Sequence, residues 1–199
     1  MKTKMEKALD IVRERQIIRP KDLDELGIPR KYLERLAKKG FVKRISRGLY
    51  EYAERQPTEK ATIAEVCKKI PHGIVCLLSA LQIYQVTTQQ SHDVWIALES
   101  YARRPKAKGL PVRYIHMSGH ALTEGVAIIE IEQVQVRVYN LAKTVADCFK
   151  FRSIVGLDVA IEALRECRRK KLVRSDDLWR YAKICRVSKV MRPYLEAIQ

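Results

Sequence analysis

The sequence predicts an α+β protein. An N-terminal winged helix-turn-helix is followed by a domain in which a small, mostly antiparallel sheet is packed by several helices. Three observations carry this. Residues 1–56 hold three short helical patterns and then a basic two-stranded hairpin. Four short β-forming runs follow between Val94 and Tyr139. From Asn140 onward, apolar residues recur at helical spacing behind capping residues.

The first helix is expected over Lys4–Arg15, where Met5, Ala8, Leu9 and Val12 form one apolar stripe. A second should begin near Pro20, a residue suited to the first helical position, and bury Leu23 and Leu26. Gly27 ends it, because glycine tolerates the left-handed conformation past a helix end. The third helix is expected over Pro29–Lys39, with Tyr32 or Leu33, Leu36 and Ala37 inward and Gly40 closing it. The hairpin runs Phe41–Ile45, turns at Ser46-Arg47-Gly48 and returns over Leu49–Tyr52. Glu54–Thr58 is polar and contains Pro57, which places a boundary between a domain of residues 1–56 and one of residues 57–199.

In the second domain a helix is expected over Thr58–Ile70. A second, apolar nearly all round, should run from Ile74 to about Tyr84 and centre the core. Strands are expected at Val94–Leu98, Val112–His116, Val126–Ile131 and Val134–Tyr139, the last two joined by a tight turn at Glu132-Gln133. That turn lacks glycine and Asn-Gly, so its type stays open. Asn140, Ser175 and Ser188 are placed to cap helices, with another starting near Leu157-Asp158. Pro193 must lie in the early turns of the last.

Charge narrows the partners. The chain carries 39 basic and 23 acidic residues, formally +16. Such an excess attracts polyanions, nucleic acid first and an anionic membrane surface as the rival. Residues 1–56 and 141–199 are each net +7, whereas residues 57–140 are net +2. Two separated electrostatic surfaces are therefore expected. The start of the chain has no apolar signal core, and the longest apolar run, Ile74–Leu81, is far short of the ~20 residues that cross a bilayer. Five cysteines without a C-x-x-C pair read as free buried thiols of a cytoplasmic protein.

On the third helix Lys31, Arg35 and Lys38 recur at i, i+4, i+7, and Arg30, Glu34 and Lys39 flank them. Many surface helices have a polar face. Here five basic residues stand against one acid, and Lys43, Arg44 and Arg47 follow in the hairpin. The combination points to double-stranded DNA, with Arg30, Lys31, Arg35, Lys38, Lys43, Arg44 and Arg47 as contacts. A second possible polyanion patch is Arg165, Arg168, Arg169, Lys170, Lys171 and Arg174, weighed evenly against a solvated helix end that the macrodipole would favour.

Signals for catalysis are weak. His116 and His120 have zinc-pair spacing, but Ser118-Gly119 interrupts them and a surface pair of histidines is the better reading. Glu130 and Glu132 alternate on a predicted strand and could hold Mg²⁺, yet no lysine follows as restriction-type nucleases use, and solvated edge glutamates are favoured. Asp147 reads as a surface or capping residue. No phosphate-binding glycine motif is present, and no cofactor or metal is expected.

Three stretches together carry a family resemblance. They are Val42–Tyr50, the Leu77-Leu78-Ser79-Ala80-Leu81 helix, and Val138–Phe149, in which a strand feeds a Lys-Thr-x-x-Asp helix. In these the chain resembles the AbiEi antitoxins of type IV toxin–antitoxin (abortive-infection, phage-defence) systems. The resemblance implies a non-enzymatic, bacterial or archaeal autorepressor. Its N-terminal domain would bind operator inverted repeats, with the DNA contacts on the seven residues named above. Its C-terminal domain would counter a nucleotidyltransferase-like toxin, with no obligatory direct complex. The alternative is a nuclease or nucleic-acid-modifying enzyme targeted by a winged helix, using Glu130, Glu132, His116 and His120. A pure protein-interaction module ranks third, against the strongly basic ends.

Overall fold

The computed structural model describes residues 2–198; Met1 and Gln199, the outer ends of the two expected domains, lie outside the description. The protein is α+β, with eleven helices and eight strands among the described residues. It divides into two compact units. The first comprises the chain up to Pro71 with Pro105–Pro111 and Ile129–Val136; the second comprises His72–Arg104, Val112–Ile128 and the chain from Arg137 onward.

The first unit opens with α1 (Lys4–Arg15), started by a capping box in which Thr3 and Glu6 satisfy each other's backbone amides. β1 (Ile17–Ile18) follows, a two-residue strand not expected from the sequence. Next come α2 (Pro20–Asp24), α3 (Lys31–Lys38), β2 (Val42–Ser46) and β3 (Leu49–Tyr52). The three strands form an antiparallel sheet in the order β1-β3-β2. Ala8, Val12, Ile18, Leu23, Ile28, Leu33, Leu36 and Val42 make the core beneath them. Leu26, expected inside, is 48% exposed because α2 ends before it and the chain turns at Gly27.

The first unit also takes in α4 (Ala61–Lys69), which lies beyond the expected boundary at residue 56. The cause is ionic. Arg55, only 3% exposed, donates to Glu51 on β3, Glu65 on α4 and Glu132. Lys68 on α4 reaches Asp22 on α2 at 2.8 Å.

The remaining elements are β4 (Ile74–Val75), α5 (Leu77–Ile83), β5 (Val94–Glu99), β6 (Val112–Met117), α6 (His120–Thr123), β7 (Val126–Ile131), β8 (Val134–Tyr139), α7 (Leu141–Lys150), α8 (Arg152–Val155), α9 (Leu157–Arg169), α10 (Ser175–Ile184) and α11 (Ser188–Ala197). The second sheet has the order β6-β5-β4-β8-β7. The expectation of a mostly antiparallel sheet is corrected: β4 pairs antiparallel with β5, but β5–β6 and β4–β8 are parallel. The reason is β4. Ile74 and Val75 were expected at the start of a helix; instead they form the strand that joins the two halves of the sheet.

The second unit's core collects Leu77, Leu81, Trp95, Tyr139, Val145, Phe149, Leu164 and Leu178, among others. Within it lies an ion pair, Lys143 Nζ to Asp147 Oδ2 at 2.5 Å, both side chains fully buried. Asp147 is thus not a surface residue. Lys143 also lies 4.0 Å from the Tyr139 ring centre, and the Cys185 thiol donates to Asp147 at 3.2 Å. Burial pushes the Asp147 carboxyl above its ordinary range, against the pull of Lys143.

Candidate nucleic-acid interface

The interface begins with how α3 is held. Leu33 and Leu36 sink into the core, which fixes the helix by one stripe and leaves the opposite face to solvent. Its C-terminus closes as a Schellman motif: the Gly40 amide donates to Ala37 and the Phe41 amide to Leu36, both at 3.0 Å. Gly40, at φ +79°, makes that reversal possible and sends the chain straight into β2.

Lys31, Arg35 and Lys38 are all exposed, as are Arg30 and Lys39. At 100° per residue the row occupies an arc of roughly 60° opposite the buried leucines. Arg35 lies 5.3 Å from the Tyr32 ring centre, which steadies the guanidinium while leaving its donor edge open.

In the hairpin, Lys43, Arg44 and Arg47 are exposed too. Lys43 sits opposite Glu51 and Arg44 opposite Tyr50. As strand neighbours, Lys43 and Arg44 leave opposite faces, so they do not share one surface. A register irregularity between Arg44 and Ser46 precedes the tight turn. There Gly48 adopts φ +73°, and the Arg44 guanidinium donates to the Ser46 carbonyl at 3.3 Å.

Sequence reasoning missed Lys69. It ends α4, and its ammonium donates to the Arg47 carbonyl, placing a further cation at the hairpin turn. Its pKa is lowered by burial and then by repulsion from Arg47, Arg19 and Arg44. No local pattern marked it, since α4 was assigned to the other domain.

The second basic patch is largely occupied. Glu166 binds Arg169 at 2.7 Å and Lys170 at 3.2 Å. The hydrogen bond from Arg169 holds the Glu166 carboxyl down at about 2. Arg168 donates to the Ile198 carbonyl and the Ser175 hydroxyl, and Arg174 sits 3.7 Å from Asp176. Arg165 and Lys171 are exposed.

Each of the residues weighed for catalysis has a local partner of its own. Glu132 is not a solvated strand residue: it lies in the β7–β8 turn at φ +49°, accepting from Arg55 and from Thr58. Glu130 accepts from Gln135 at 3.2 Å. The His116 ring lies 2.9 Å from the Glu99 carbonyl, and exposed His120 is 3.8 Å from Glu124. Among the described residues no three His, Cys, Asp or Glu side chains are grouped to hold a metal.

Residues 6–53 match the family model of the AbiEi antitoxin transcriptional regulators. This segment carries the AbiEi family pattern. It runs from the first turn of α1 to just beyond β3, so the matched AbiEi segment is the helix and hairpin assembly described above. The resemblance read from the sequence is borne out there. That family model describes a transcriptional regulator and AbiEi antitoxin. No curated protein matches the chain.

Proposed function

We propose that the protein is an operator-binding autorepressor and the antitoxin of a type IV toxin–antitoxin system. The first unit acts as a winged helix-turn-helix. α3 enters the major groove of an inverted-repeat half-site, where Arg30, Lys31 and Arg35 meet base edges, and Lys38 anchors on phosphate. The hairpin is the wing: of the expected contacts Lys43, Arg44 and Arg47, the turn's Arg47 and one of the two strand neighbours, Lys43 or Arg44, lie along the backbone. The 57–199 region counters a nucleotidyltransferase-like toxin, without catalysis and without an obligatory complex. In the patch of Arg165, Arg168, Arg169, Lys170, Lys171 and Arg174, Arg165 and Lys171 are the members best placed to add contacts.

One observation carries this reading: the segment that matches the AbiEi regulators is the segment that exposes the cationic row. The test is a gel shift with DNA from upstream of the protein's own operon. Lys31→Ala with Arg35→Ala is expected to erase preference for that DNA over an unrelated duplex. Undiminished preference in that variant contradicts the assignment.

A further inference from the structure

Within the second unit, the C-terminal ends of α7 and α10 and the loop leading into α6 open onto one cavity of about 580 Å³. Three cations line it. Lys150 is the last residue of α7, Lys183 lies in the last turn of α10, and Arg186 follows just beyond. Ser118 and His120 add to its polar side, and Ala121 and Ile184 give it an apolar wall. None of its described lining residues is acidic.

The backbone beneath these groups is fixed. α7 packs against α10 in a core that includes Val145, Phe149, Leu178 and Ala182. α10 then closes as a Schellman motif: the Arg186 amide donates to the Lys183 carbonyl at 3.0 Å and the Val187 amide to Ala182 at 2.8 Å. Arg186 occupies the left-handed position of that reversal at φ +59°, and buried Val187 pins the chain after it. The cavity is therefore built on helix ends rather than on a free loop.

The macrodipole favours a cation at each helix end, but it does not explain this grouping. Backbone amides already take the carbonyls of Asp147, Tyr181, Ala182 and Lys183. Neither Lys183 nor Arg186 has an ion pair or a side-chain hydrogen bond among the described residues. The Lys150 ammonium lies 5.6 Å from the Phe151 ring centre and makes no ion pair among them. Other basic hollows of this unit carry their own counter-charge: Glu166 lines the one at the end of α9, and Asp177 the one beside Lys171 and Arg174. Like charges around one cavity repel, and an anion seated among them removes the repulsion.

The same features narrow the anion. A single carboxylate offers one charge, whereas a phosphate chain offers several, with acceptor oxygens on every side for lysine, arginine and the Ser118 hydroxyl. A nucleic-acid strand follows an extended groove, but these cations converge on one cavity. Its volume falls among those of small-molecule sites, roughly 300–1,000 Å³.

We propose that the cavity at the ends of α7 and α10 binds a small polyphosphate, with its phosphoryl groups on Lys150, Lys183 and Arg186. The chain is either free or carried by a nucleoside, whose uncharged part then lies against Ala121 and Ile184. The site does not depend on the operator reading.

The test is isothermal titration calorimetry on the full-length protein with tripolyphosphate and with ATP, in the absence of divalent cations. Saturable binding is expected. Lys183→Gln with Arg186→Gln should weaken it by about tenfold or more, because charge-assisted hydrogen bonds are lost. Lys183→Arg should retain it. Lys189→Gln with Arg192→Gln removes the same charge from exposed positions on α11 and should leave the affinity within about twofold. Lys31→Ala with Arg35→Ala should likewise bind as the parent does, so loss of operator preference and loss of polyphosphate binding are read separately. Tighter binding of ATP, weakened by Ile184→Ala while tripolyphosphate is unaffected, assigns the chain to a nucleoside. Equal binding of the two assigns a free chain. Three results overturn the proposal: no saturable binding of either probe, undiminished binding when Lys183 and Arg186 are both replaced, or an equal loss in either control variant.

Discussion

Single residues carry the sharpest consequences where charge is buried. The Lys143–Asp147 pair has no access to water. Lys143→Met leaves a buried carboxylate with only the Cys185 thiol, and a loss of about 3 kcal/mol is expected in urea unfolding. Adding Asp147→Leu should recover most of it, since removing both charges removes the desolvation cost. Nothing in the sequence marked this pair beyond the Lys-Thr-x-x-Asp spacing. An i, i+4 pair looks the same on a surface helix, and burial is decided by the helices that later pack over it. Two other carboxyls set the acid limit. Burial alone would raise Asp22, but hydrogen bonds from Arg19 and Lys68 outweigh it and hold it below its ordinary 3.8. Glu132 is likewise held below 4.5, by Thr58 and Arg55 against burial. Both pKa values are lower folded than unfolded, so their stabilisation is present above the ordinary values and is lost as pH falls through the lowered ones. The unfolding midpoint should therefore fall once pH drops below about 4, and less steeply in Asp22→Asn with Glu132→Gln.

At the scale of elements, the turns show what sequence patterns can and cannot give. Gly27, Gly40 and Gly48 mark helix ends and the hairpin turn, and all three adopt positive φ. The Glu132-Gln133 turn has positive φ at both positions, the type I′ signature, without the usual Asn-Gly. Arg55 and Thr58 compensate by fixing Glu132 from outside the hairpin, a contact between residues 74 or more apart that no local window contains. β1 escaped notice because two isoleucines are too short a run to show alternation, and β4 because an apolar pair ahead of a helix reads as its first turn. The spacing of Lys31, Arg35 and Lys38 was legible because a helix projects its own period. Lys69 was not, because only the folded arrangement of α4 brings it to Arg47. Gly125 gives an element-level test. A methyl group there would lie 2.9 Å from the Lys143 Cβ and 3.1 Å from Tyr181, at φ +77°. Gly125→Ala should cost about 3 kcal/mol, against about 1 for Gly109→Ala, which shares the positive φ but meets nothing. Thermal melts of the two variants check the difference.

Across the whole molecule, the five cysteines are buried and free. Burial pushes the thiols of Cys67, Cys167 and Cys185 up to about 12. Native protein should react with Ellman's reagent at no thiol until it unfolds, when all five become available. The charge map is also a property of the whole chain. Its two basic ends were plain in the sequence sums, whereas the Arg165–Arg174 run looked stronger than its partly paired state allows. The proposed division into a DNA-binding region and a toxin-countering region rests on the first of these. Its most direct test is operator affinity measured against salt for the full-length protein and for Lys31→Ala with Arg35→Ala. The expected result is a steep salt dependence and clear operator preference in the parent, with the preference gone in the variant while the remaining phosphate contacts keep most of the slope. A variant that keeps the operator preference contradicts the account.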